Sequence, residues 1–345
     1  MSTWQTLGFT NSPYNFNPLA VEASDVDLLV GRDEESIELY TTLDSRPEGV
    51  CIISGPPGVG KTSFLNVNQF LLEAGKAHFG PRLLAARRLC PIRPEDSARD
   101  VALRALHSLH RSVQDFCART GADIPVETKK VGDWINGVGG GGFELGLQIL
   151  GCGGNYGRQV NVPSVGDVTF EGLQDVIACI AAEVINRLDK GGAFVVLDNV
   201  ENLEDDQLSS LLIGFRDTLF TIPGVWWVII GQSGLGSLIQ TLDPRVSERI
   251  SGKGLELTPI SLDELNIAIE KRVGRFHKLG KGKPPLPATI HEHLFKASHG
   301  EIRFVFKYSE TVCLQFVRDF RIGFRQRNPD FDEKALDAGI GEALI

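Results

Sequence analysis

Apolar positions recur along this chain with two different periods. The runs Val50-Cys51-Ile52-Ile53, Ala193-Phe194-Val195-Val196-Leu197 and Val225-Trp226-Trp227-Val228-Ile229-Ile230 are continuous and end in turn residues. That is how strands buried on both faces of a parallel sheet read. Between them the spacing is helical. Val101, Leu103, Leu106, Leu109 and Val113 fall on or near one side of residues 97–119. Phe170, Leu173, Val176, Ile177, Ile180, Val184, Ile185 and Leu188 predict an amphipathic helix, closed by Gly191-Gly192. Further helices are predicted over 34–43, 208–219 and 235–242, a second strand within 82–89 and a short last one at 255–257. Strands alternating with helices predict an α/β fold around a parallel sheet. Past residue 258 the pattern is helical only. Ser261-x-x-Glu264 is a capping box opening a helix to about Arg275. A linker rich in Pro, Gly and Lys (280–287) leads to helices over 288–298 and from Gly300 toward Arg325.

Three stretches break the periods. Residues 1–30 are turn-rich, with single aromatics Trp4, Phe9, Tyr14 and Phe16 suited to stapling an arm onto a domain surface. Residues 120–168 lose periodicity, and ten of the 21 residues from Gly137 to Gly157 are glycine. Such tracts have few anchors. Phe143, Leu145, Leu147 and Ile149 alternate within it as in a short strand or hairpin. The tract reads either as a plain loop or as an insertion that contacts substrate or partner. Residues 328–345 read as a tail helix or a frayed end. The expected division is an arm (1–27), a nucleotide-binding core (28–258) with the Gly-rich insertion at about 120–168, a helical lid (259–327) and a tail (328–345).

The first apolar run feeds the most specific motif. Gly55-Pro56-Pro57-Gly58-Val59-Gly60-Lys61-Thr62 fits G-x-x-x-x-G-K-[ST], with a strand before it and a helix, from Ser63, after it. Glycines at 55, 58 and 60 let backbone N–H groups turn toward phosphates, because no Cβ blocks the loop. The helix starting near Lys61 adds its positive dipole end. These nine residues, Ser63 included, form the expected ATP-binding set. Lys61 would reach the β- and γ-phosphates, and the Thr62 hydroxyl would ligate Mg²⁺. Asp198 ends a buried strand at the sheet edge where ligands bind, which makes it the second Mg²⁺-organising group. Gln232, after the next strand, would either feel the γ-phosphate or simply form a turn. Val30-Gly31-Arg32 stands where an adenine-pocket wall is expected; a turn before a helix N-terminus describes it equally well.

Composition narrows the partners. With 345 residues, 42% hydrophobic, the chain is ordinary for a globular protein, and no stretch approaches the length of a membrane span. The N-terminus lacks a basic region followed by an apolar core, so a cytoplasmic protein is expected. Six scattered cysteines (51, 90, 117, 152, 179, 313) form no C-x-x-C pair and read as reduced, mostly buried thiols. His107/His110 and His291/His293 have no partners in a metal pattern and read as helix-surface residues. Net charge is −9, yet residues 271–327 hold 13 Lys and Arg against four Asp and Glu. That basic end suits a nucleic acid or an acidic neighbouring subunit, or reflects solvated helix faces.

The order of these parts resembles the AAA+ P-loop ATPases: Val30-Gly31-Arg32, the phosphate loop, the Asp198 strand, the Gln232-Ser233 strand end, Arg245/Arg249, and Gly300-x-x-Arg303 in a helical tail. Asp243-Pro244-Arg245-Val246-x-x-Arg249, followed by Leu255-x-Leu257-x-Pro259, is similar to the origin-recognition initiator ATPases. It also looks like bacterial regulators of transposition and the ATPases found beside anti-phage effectors. The resemblance implies a three-layer αβα core with a small helical lid, ATP and Mg²⁺ as cofactors, and homo-oligomers as rings or filaments. It implies that Arg249, with Arg245 as alternative, is an arginine finger entering a neighbour's site, worth about 10³–10⁵ in rate. Arg303 would be the second sensor. One departure matters: AAA+ hydrolases usually carry Glu after the strand-terminal Asp, and here Asn199 stands there. Either Glu201 takes that role or hydrolysis is slow. The expectation is an ATP-dependent switch that assembles and regulates a transposase-like or effector partner on DNA. The alternatives are a sensor or scaffold in anti-phage defence, and a loader or remodelling motor.

Overall fold

The structure is a computed structural model; it describes residues 3–136 and 168–327, and side chains up to residue 323. The strand or hairpin expected over 143–149, the rest of the glycine tract and the tail lie outside the described residues. In chain order, α1 (Thr3–Thr6) and a 3-10 turn (Ala23–Leu28) precede α2 (Asp33–Asp44), β1 (Gly49–Ser54) and α3 (Lys61–Glu73). Then come β2 (Leu83–Leu84), β3 (Cys90–Pro91), α4 (Ala98–Thr120), α5 (Val126–Ile135) and α6 (Phe170–Arg187). β4 (Gly192–Asp198), α7 (Asp205–Arg216), β5 (Val225–Ile230), α8 (Leu235–Leu242), α9 (Pro244–Ser247) and β6 (Leu255–Glu256) follow. The chain continues with α10 (Leu262–Phe276), α11 (Ala288–Ala297) and α12 (Ile302–Arg327). The class is α/β: a three-layer core around a parallel sheet, then a helical C-terminal part. Two compact units share the chain. One joins Glu34–Gly55 with Asn68–Glu256; the other joins Met1–Asp33, Pro56–Val67 and Leu257–Ile345.

The first unit holds the sheet. Its order is β2-β4-β5-β1-β6, with β3 also on β4, and each ladder is parallel. β1 and β5 are buried along their whole length, and β4 is buried to Leu197. The Val/Ile-rich runs suit this position, since both faces of each strand are covered. Register sets Ile53 beside Ile230 and Leu197 beside Ile229. Ser54, Asp198 and Gly231 therefore stand at one edge, the carboxyl ends of the strands. α4 and α6 contribute Val101, Ala105, Leu109, Ile177, Ile180 and Val184 to the core against the sheet. Phe215, Phe220 and Trp227 cluster with centroids 5.7–6.1 Å apart, and Trp227 Nε1 donates to the Leu219 carbonyl at 2.8 Å.

Local chemistry sets the ends of these elements. Ser97 and Asp100 form a capping box on α4, and Thr169 Oγ1 accepts from Gly172 N–H at the start of α6. The strand expected within 82–89 is the short β2, and β3 follows just beyond that range. Between them the N–H groups of Ala85, Ala86 and Arg87 find Glu73, Gln69 and Ser112 side chains at 3.0, 2.6 and 3.1 Å. α5 lies where periodicity was expected to fail. Its Val131 is fully buried, and Glu183 accepts from Glu127 N–H and Thr128 N–H at 3.0 and 2.7 Å. The helix is short and contains Gly132, where a Cβ would come within 2.5 Å of His110 Nε2. His110 and His291 are buried, which corrects the helix-surface expectation; His107 and His293 are exposed. Cys51, Cys90, Cys117 and Cys313 are buried free thiols, as expected, and Cys179 is half-buried.

The second unit packs the arm and α10–α12 around Leu7, Phe9, Tyr14, Leu265, Ile269, Val305 and Phe306. Trp4 stands edge-on to Phe9, so the scattered N-terminal aromatics do staple the arm. Ser261 and Glu264 form the expected capping box of α10.

Candidate functional site

In the second unit, Gly58 (φ 73°) and Gly60 (φ 100°) take backbone conformations that favour glycine. Val59 N–H bonds the Pro56 carbonyl at 3.4 Å and Phe64 N–H bonds that of Gly60 at 2.8 Å, so α3 opens at Lys61. Thr62 and Ser63 occupy its first turn, where orphan N–H groups and the dipole favour anions. The Lys61 ammonium donates to the Pro56 carbonyl at 3.1 Å. Pro57 is exposed at the loop tip.

An open cleft lies in this unit. The phosphate loop supplies Gly58, Val59, Gly60, Thr62 and Ser63 to its lining. Val30 follows Leu28 and Leu29 along one wall; Ala268, Arg272, Ile302, Arg303 and Phe306 come from α10 and α12, and Asn15–Leu19 from the arm. The arm is fastened at several points. Leu19 N–H donates to Ser63 Oγ at 3.0 Å, and Asn66 Nδ2 to the Leu19 carbonyl at 2.8 Å. Arg272 Nη1 donates to the Asn15 carbonyl at 2.9 Å. The Tyr14 hydroxyl accepts from Leu286 N–H at 3.3 Å and stands 3.0 Å from His291 Nε2.

Two carboxylates of the helical C-terminal part rest on loop glycines. A Cβ on Gly58 would overlap the Glu301 carboxylate, and one on Gly31 (φ 70°) would come within 2.5 Å of that of Glu264. Arg303 N–H donates to the Gly58 carbonyl at 3.3 Å, and its exposed side chain lines the cleft. Arg32 is buried. It donates to the carbonyls of Val59 at 3.3 Å and Thr258 at 2.7 Å, so it secures loop backbone rather than lining the cleft. Of Val30, Gly31 and Arg32, Val30 alone lines the cleft.

In the sheet unit, β1 ends at Ser54 and Gly55 passes the chain to the loop. Asp198, half-buried at the end of β4, accepts Asn199 N–H on Oδ1 at 3.0 Å, while its carbonyl accepts Ile92 N–H at 2.8 Å. Asn199 is exposed in the left-handed region (φ 61°), which Asn tolerates better than most residues. It opens a 3-10 turn (Val200–Asn202) anchored by Asn202 Nδ2 on the Ile92 carbonyl at 2.9 Å. Val200 is buried and Glu201 exposed. Gln232 is exposed in the turn after β5, its carbonyl accepting Leu235 N–H at 3.2 Å. Asp198, Asn199, Glu201 and Gln232 thus gather at the carboxyl edge of the strands. Arg245 and Arg249 follow α8. The Asp243 carboxylate caps α9 through Arg245 N–H at 2.8 Å and pairs with the Arg245 guanidinium at 3.3 Å. Arg249, half-exposed, pairs with Asp217 at 3.1 Å. A hydrogen bond from Arg216, above all, holds the Asp217 carboxyl below its usual range.

Among the described residues, no group of three His, Cys, Asp or Glu is placed to hold a metal, and no helix is long and apolar enough to cross a membrane. The sequence reading did not find Asn15–Leu19, Arg272 or Glu301 as site residues. Their contacts join positions 44 to 257 apart along the chain, where no local period signals them.

No protein-family model matches the sequence, and no curated protein matches it. Among solved structures, the chain is similar to the ORC2 protein of Aeropyrum pernix in its ADPNP–ADP complexes. Identity is 13% and the TM-score 0.49, over 97% of this chain and 72% of that one. It is similar to the ORC1 protein of the same organism in complex with DNA, at 18% identity and TM-score 0.49, over 86% and 62% of the two chains. It is also similar to CDC6P from Pyrobaculum aerophilum, at 15% identity and TM-score 0.47, over 93% and 67%. This chain therefore spans 62% to 72% of the length of these proteins.

Proposed function

We propose that this chain is an ATP-binding switch of the AAA+ type, which hydrolyses slowly, assembles with ATP and regulates a partner protein on DNA. The observation that carries the reading is the cleft: phosphate-loop residues Gly58–Ser63, the arm and Arg303 line one space. Lys61 meets the β- and γ-phosphates. The Thr62 hydroxyl is a hard oxygen donor of the kind Mg²⁺ takes, and the ion would supply positive charge against the phosphates. Asn199 offers no carboxylate where a water-polarising Glu is expected; either Glu201 takes that role or turnover is slow, and slow turnover suits a switch. Arg249, at the surface, reaches a neighbouring copy. The basic residues of 271–327 meet nucleic acid, with affinity that falls steeply with salt.

The test is nucleotide titration with assembly followed by light scattering. Wild-type protein should bind ATP and enlarge with it, and Lys61→Ala should lose at least about tenfold in affinity, the scale of a charge-assisted contact. Indistinguishable behaviour of the two proteins would sink the reading.

A further inference from the structure

Arg272 breaks a rule that buried charges obey. Buried cations are normally paired, because removing them from water costs several kcal/mol that only a close partner offsets. The residue is 7% exposed. Among the described residues it hydrogen-bonds an uncharged carbonyl, that of Asn15, at 2.9 Å. Its guanidinium lies 4.5 Å from the centroid of the Phe306 ring. Nε is buried and has no hydrogen-bond partner among the described residues. No carboxylate among the described residues is within ion-pair distance of it. Asp25, the acid that acts on it from further away, is engaged by Ala20 N–H at 2.7 Å. Burial holds the guanidinium down to about 10. Yet Arg272 lines the cleft.

Its position along the cleft identifies what it faces. Arg303 N–H touches Gly58 of the phosphate loop, and Phe306 is one helical turn further along α12. Arg272 lies on that Phe306 ring and on the arm, one turn away from the phosphate end. Guanidinium presents donors only. We propose that Arg272 is a specificity-determining residue of the cleft, donating a hydrogen bond to an acceptor on the nucleoside half of the bound nucleotide, either a ring nitrogen of the base or a ribose hydroxyl. This rests on the nucleotide reading above, and it adds which part of the ligand is read and by which side chain. Binding then supplies the partner that the guanidinium lacks, and a base without an acceptor there leaves it buried and unmet.

Isothermal titration of the full chain with ATP, ADP, 7-deaza-ATP, 3-deaza-ATP and 2′-deoxy-ATP tests this without altering the protein. One analogue should bind about tenfold or more weakly than ATP, the scale of a hydrogen bond to a charged group. The deaza and deoxy arms tell base from ribose. In Arg272→Gln and Arg272→Lys that penalty should shrink severalfold, while ATP itself weakens. Equal affinity for all analogues overturns the proposal. So does a penalty unchanged in both variants, which is what a merely structural arginine would give. So does a variant effect larger for ATP than for ADP, which would place Arg272 on the phosphates. If no nucleotide binds at all, the reading of the cleft falls with it.

Discussion

His291 and Tyr14 show what one buried contact does for the arm. His291 Nε2 is 3.0 Å from the Tyr14 hydroxyl, and burial pushes the imidazole down to about 4. In the unfolded chain it titrates near 6.5. Between these values the unfolded state binds a proton that the folded state refuses, so stability falls as pH drops through this window. The loss between pH 7 and pH 5 should be about 2 kcal/mol. Urea unfolding at the two pH values measures it, and His291→Gln should flatten the difference. Equal losses in both proteins would show that His291 is not held neutral. Gly58, Gly60 and Lys61 were legible in the sequence because loop geometry and helix start are decided by neighbours. His291 was not: its role depends on Tyr14, 277 residues away.

At the scale of elements, α3 is fixed at its far end by Glu73. That side chain is buried and accepts from Arg87 and Arg119, each at 2.8 Å, and from Ala85 N–H at 3.0 Å. Lys190 adds a bond to the Glu73 carbonyl at 2.6 Å. Glu73→Ala removes the close counter-charge that Arg87 and Arg119 share, and should cost about 3 kcal/mol. Denaturant melts check this; a loss under about 1 kcal/mol would mean that solvent satisfies Arg87. Buried strands and long helices were legible, since continuous apolar runs mark the first and a period of 3.6 sustained over many residues marks the second. Ser97, Thr169 and Ser261 cap helices with local chemistry that the sequence displays. α5 was missed because its inward signal is little more than Val131 and Trp134. The strand expected within 82–89 is only Leu83–Leu84, because side chains, not a ladder, satisfy the N–H groups that follow it.

At the scale of the molecule, Arg249 should matter only between copies. Arg249→Ala should keep ATP affinity within about twofold and lose roughly 10³-fold or more in turnover. Mixed with Lys61→Ala, which keeps Arg249, it should regain part of that turnover. No recovery in the mixture would mean that Arg249 acts within its own chain or not in hydrolysis. The parallel order of the sheet carries a different consequence, for how the chain matures. β1 lies between β5 and β6, so the strand that launches the phosphate loop finds its partners only after residues 225–256 exist. The arm, made first, docks on Arg272, Leu286 and His291, over 250 residues later. Pairings this distant are slow to form, because loop-closure entropy precedes the contacts that offset it. A growing chain therefore carries Gly55–Thr62 as an open segment through most of its synthesis. On the proposed reading, competence to hold a nucleotide comes late in synthesis.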